Sequence, residues 1–170
     1  MTGRQLAKQI LVKSGIWSLG KFILPRYHRP ALGLAAARMK ARFAPSPANA
    51  QDLARAFLAW ADVLAYQDAW PEVVVACDNA LRADPACLAA LQRRNEVLLR
   101  LGRLLMRNVH DQTSSEKSLE LINAGAKRFE AVLGGPPGAS STRAAAREEL
   151  VHCYALLGRW EDIERLNRPV

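Results

Sequence analysis

Apolar residues recur along this chain at three- and four-residue intervals, and no stretch alternates long enough to argue for a strand. The pattern predicts helices throughout. Residues 4–24 carry many apolar side chains and read as a helix ending before Pro25. Tyr27-His28-Arg29-Pro30 reads as a turn, because proline restricts both itself and the residue before it. A short helix follows over 31–43, with Leu32, Ala36, Met39 and Phe43 on one side and Arg38 and Arg42 off it. Pro45-Ser46-Pro47 then breaks the chain. The break separates a helical arm, 1–47, from a helical repeat domain, 48–170.

Beyond it the helices come in pairs. One spans 54–66, Gln67-Asp68 turns the chain, and a second spans 70–83 until Asp84-Pro85 ends it. Residues 87–101 are again helical, with Gly102 as the expected stop. The polar stretch from Asn108 to Ser115 precedes a helix at about 116–133. Gly134-Gly135-Pro136-Pro137-Gly138 is a loop. Ser141 or Thr142 caps a helix running to Leu157, Gly158 stops it, and a last short helix runs from Trp160 to Pro169. The expected fold is all-α: a short solenoid of helical hairpins preceded by an N-terminal helical arm.

Composition agrees. Ala, Leu and Arg dominate and aromatic residues make up 6%, which favours helix over sheet. A length of 170 residues suits one core. Cys77, Cys87 and Cys153 form neither a disulfide framework nor a zinc ligand set, so a reducing compartment and a cytoplasmic location are expected. No apolar run is long enough to span a bilayer.

Charge changes the picture more. Every charged residue before Asp52 is basic, nine in all, whereas the remainder holds 15 basic and 16 acidic side chains. A basic arm therefore joins a nearly neutral body. Lys8, Lys13 and Lys21, interleaved with Trp17, Phe22 and other apolar residues, suit an anionic membrane surface. Two other readings of the arm stay open: its apolar residues cap the repeat stack, or it is an organelle targeting segment. Nothing places aromatics in a stacking groove, which argues against nucleic acid.

The helix pairs resemble tetratricopeptide repeats, helix-turn-helix units of about 34 residues. With Pro85 as the closing proline, the first unit begins at Ala54, and the family's marked positions fall on Phe57, Trp60, Ala61, Leu64, Trp70, Val73, Cys77, Ala80, Leu81 and Pro85. The second unit begins at Leu88 and shows Leu91, Leu98 and the turn Leu101-Gly102-Arg103. Arg94 and Asn95 stand where an apolar and a small residue are expected, and about 17 residues would be inserted after that turn. The third shows Tyr154, Leu157-Gly158 and Trp160 before the sequence stops at Val170, which predicts an exposed apolar flank suited to docking, for instance onto a second copy. The resemblance covers about two and a half repeats.

It implies a groove that holds another protein or peptide. The family's groove positions map onto Arg55, Leu58, Asp62 and Tyr66, then Gln92, Arg93, Glu96 and Arg100, then Glu148, Glu149 and His152. Leu58 and Asp62 replace the lysine–asparagine pattern that clamps a C-terminal carboxylate, so that ligand is not expected. No acid/base, nucleophile, metal or cofactor constellation stands out: His28 and His110 lack metal-spaced neighbours, and His152 is merely adjacent to Cys153. The expected function is a non-catalytic scaffold or adaptor. The alternatives are a secretion-type chaperone and the regulatory repeat module of a glycosyltransferase-like enzyme.

Overall fold

The computed structural model describes residues 28–109, 112, 114–135 and 140–168. Within these the fold is a solenoid of helical hairpins without a strand. The helices are α1 (His28–Phe43), α2 (Pro47–Tyr66), α3 (Trp70–Ala83), α4 (Leu88–Val109), α5 (Ser115–Leu133), α6 (Ser140–Leu156) and α7 (Trp160–Asn167). Each packs on the next, and α4 also touches α6. The helix expected over 4–24 lies outside the described residues.

Local chemistry explains the boundaries. Ser46 is extended (φ −158°, ψ 156°) and its hydroxyl accepts the Asn49 N–H at 3.2 Å, while Pro47 opens α2 where no N–H is needed. The helix therefore starts seven residues before the expected Ala54. The turn out of α2 uses Asp68 at φ 55°, a conformation Asp tolerates better than most side chains. Asp84 leaves α3 in an extended conformation and caps the following turn, accepting the Ala86 N–H at 3.1 Å. Gly158, at φ 67°, makes the left-handed stop between α6 and α7.

Three sequence-based expectations need correction. Residues 28–30 are not a turn; they are the start of α1, with Pro30 in the first turn, where its missing N–H costs nothing. The apolar side of α1 that is buried is not the one carrying Leu32, Met39 and Phe43. Leu34 and Ala37 pack inward instead, at 6% and 7% exposure. Gly102 does not stop a helix either: α4 runs through it for seven more residues, so no turn follows Leu101. A Cβ on Gly102 would overlap the ring of Phe129, at 2.6 Å from Cζ, so the glycine lets α5 approach α4 closely.

The core is a row of three clusters. Leu34, Ala54, Phe57, Ala80 and Ala90 join α1 to the first hairpin and the start of α4. Ala61, Val73, Ala76, Cys77 and Val97 fill the space between α2, α3 and α4. The largest cluster centres on Leu98, Phe129, Val132, Leu150 and Cys153 from α4, α5 and α6. Ala61 and Ala80 are completely buried, which lets the backbones of α2 and α3 come close while Phe57 and Trp60 fill the sides. At the far end Tyr154 donates its hydroxyl to Glu130 at 2.7 Å, and the Arg159 guanidinium lies 4.3 Å over the Tyr154 ring. Arg159 also reaches Asp162 at 2.7 Å, tying α7 to α5 and α6.

Candidate partner-binding face

The first helices of successive pairs, α2, α4 and α6, carry the residues expected to line a groove. Two ion pairs run across them. Arg93 Nη2 donates to Asp62 Oδ1 at 2.8 Å, joining α4 to α2. Arg103 Nε donates to Glu149 Oε1 at 2.8 Å, joining α4 to α6. Exposed pairs of this kind contribute at most about 1 kcal/mol each, so they orient side chains more than they stabilise the fold. Within α4, Gln92 donates to Glu96 at 3.1 Å. The Arg100 guanidinium sits 3.9 Å over the ring of Trp70, a cation–π contact between α4 and the start of α3.

Arg55 pairs with Asp52 of its own helix at 3.4 Å. Tyr66 stands exposed as the last residue of α2, and Glu148 and His152 are exposed on α6. Lys8, Lys13, Trp17, Lys21 and Phe22 lie outside the described residues. Sequence reasoning misses Arg103, because the pattern makes Gly102 a helix stop. Once α4 is continued, Arg103 extends the row of Gln92, Glu96 and Arg100 at helical spacing.

Asn95, at the position expected to be small, is 1% exposed and neither amide atom has a hydrogen-bond partner. The neighbouring Arg93 Nε is also buried without one. Each such group costs about 1–3 kcal/mol, which weakens the second hairpin relative to a unit with alanine there.

A hollow of about 390 Å³ lies between α3, α4 and the end of α5. Its polar groups are already committed. Arg94 Nε donates to Asp78 Oδ1 at 2.5 Å, and its Nη1 reaches the Ala131 carbonyl at 3.5 Å. Arg143 closes the end of α5, donating to the carbonyls of Leu133 at 2.8 Å and Gly135 at 3.0 Å. These arginines brace hairpin against hairpin.

Burial pushes the Cys77 and Cys153 thiols up from 9.0 to about 11. Both are protonated at neutral pH, and Cys153 Sγ packs 3.4 Å from Met106 Sδ, so neither is poised as a thiolate nucleophile. Among the described residues no cluster of three His, Cys, Asp or Glu side chains could hold a metal. None of the described helices is long and apolar enough to cross a membrane.

No protein-family model matches the chain, and no curated protein is significantly similar to it.

Proposed function

We propose that this chain is a non-catalytic, tetratricopeptide-like adaptor that holds a segment of a partner protein along α2, α4 and α6. The observation that carries the reading is the pair of cross-links Asp62–Arg93 and Arg103–Glu149. They tie α4 to α2 at one point and to α6 at another, and Gln92, Glu96, His152 and Tyr66 are exposed on these helices. The buried Ala61 and Ala80 support the repeat resemblance. Charges of both signs on α2, α4 and α6 suit a partner segment with both acidic and basic side chains. The basic N-terminal region tethers the adaptor, in the cytoplasm, to an anionic membrane surface. Leu156 and Trp160, 49% and 64% exposed, are where a second copy or the partner itself docks at the other end.

A photo-reactive amino acid placed at Gln92, Glu96 or His152 in cells should cross-link to a discrete partner. The same probe at Val75, exposed on α3, should not. Adducts formed at Val75 alone, or none at any position, would remove the proposal.

A further inference from the structure

About 34 residues, one repeat length, separate Ala61 from Asn95, so the two hold the same place in successive hairpins. Ala61 is completely buried in an apolar joint with Val73, Ala76, Cys77 and Val97. Asn95 is 1% exposed, and neither its amide nitrogen nor its carbonyl oxygen has a hydrogen-bond partner among the described residues. Folded proteins satisfy nearly all such groups, so the second joint carries a cost that the first does not.

Helical geometry locates that cost. At 100° per residue Asn95 lies about 20° around α4 from Gly102, two turns earlier and on the Arg103 side. Gly102 faces Phe129 of α5, and Arg103 pairs with Glu149 of α6. Met106 meets Cys153 farther along, so α4 and α6 run in the same direction. Counting back from these two pairs sets Asn95 beside the first turn of α6. The unpaired amide therefore sits where α4 meets α5 and the start of α6.

α6 and α7 hold together as a unit. Arg147 donates to the Leu166 carbonyl, and Ile163 and Leu166 pack against the cluster that contains Leu150 and Cys153. α7 contributes no buried residue of its own, so α6 alone fixes the unit to α4 and α5, through Ala146, Leu150, Cys153 and Tyr154.

We propose that α6 and α7 open together from α4 and α5, and that the unpaired amide of Asn95 sets how often they do so. Closed, the amide is dry and unsatisfied. Open, it is hydrated, and that gain offsets part of the packing lost when α6 leaves. Glu149 and His152 ride on the opening unit. For a partner held as proposed above, one wall of its binding face forms and dissolves with that motion, and binding draws on the closed population.

The test is hydrogen exchange on the free chain in low urea, comparing the natural sequence with Asn95→Leu and Asn95→Asp. Leucine nearly matches asparagine in shape and needs no partner, whereas aspartate keeps the shape and makes burial costlier. In the natural chain the amides of α6 and α7 should exchange together, through a smaller opening than those of α2 and α3. Asn95→Leu should slow the α6 and α7 amides at least about fivefold, and Asn95→Asp should speed them by a similar factor with the circular-dichroism spectrum unchanged. Equal protection of the two hairpins in the natural chain would mean that no separate opening exists, and it overturns the proposal. So does an Asn95→Leu chain whose α6 and α7 amides exchange as before, because the amide would then be satisfied in the closed form. No partner is present in this experiment, so its failure leaves the partner reading standing.

Discussion

Phe129→Ala should lower the unfolding free energy by about 3–5 kcal/mol, the usual cost of emptying a fully buried aromatic site. Phe129 is 0% exposed and lies in the largest cluster, against Leu98, Val132, Leu150 and Cys153. Its ring also occupies the space that a side chain on Gly102 would need. Gly102→Ala on its own is therefore expected to cost about 1–3 kcal/mol through overpacking. In an unencumbered helix the same change would gain about 1 kcal/mol. With alanine at 129 the clash is gone, and Gly102→Ala should become neutral or stabilising. Urea unfolding of the two single variants and the double variant checks this, because contacting residues depart from additivity while distant ones do not. A stabilising Gly102→Ala in the natural background would contradict the close approach of α4 and α5.

Alkaline pH should destabilise the fold well before general denaturation. Cys77 and Cys153 hold their protons up to about 11 in the folded chain, against 9.0 when exposed, because burial disfavours the thiolate. Tyr154 is pushed from 10.0 to about 12, by burial and by its hydrogen bond to Glu130. For groups with raised values the stabilisation is fully present below the unfolded value and is lost as pH rises through the folded one. The loss therefore begins near 9 and, for each thiol, is about 2 kcal/mol by pH ~11. Melting temperatures measured between about pH 8 and 10.5 should fall steeply for the natural chain. Cys77→Ala/Cys153→Ala starts from a lower melting temperature but should fall less over the same range. Parallel falls would show that the thiols are not the titrating groups.

The sequence made the helices legible and misled on how they continue. Two glycines in the same local setting, Leu101-Gly102-Arg103 and Leu157-Gly158-Arg159, behave differently. Gly158 takes φ 67° and ends a helix, whereas Gly102 stays helical and receives an aromatic ring. The residues just after each glycine differ too. Leu104, Leu105, Met106 and Val109 keep the helical spacing of Leu98 and Leu101, while Trp160-Glu161-Asp162 starts a new helix with acids in its first turn. The face of α1 was ambiguous for another reason. A helix apolar on opposite sides has no single stripe to orient it, and only its neighbour decides which side is buried. Here the shorter Ala37, with Leu34, fits against α2. The resemblance assigns the candidate partner-binding positions to α2, α4 and α6. The pairing of Arg93 with Asp62 could not be read, because it depends on how one hairpin is placed on the next.

That pairing also bears on how partner binding should be tested. Arg93 and Arg100 brace α4 against α2 and α3, so their variants mix folding with recognition. Glu96 and His152 are exposed and better suited. The most direct measurement is a peptide-display selection on the intact chain, followed by hydrogen exchange with the tightest peptide bound. Protection confined to α2, α4 and α6, with weaker binding to Glu96→Lys and His152→Glu, is the result expected of an adaptor built on these helices. Protection on α3 and α5 instead, or peptides that bind both variants as tightly as the natural chain, would contradict it.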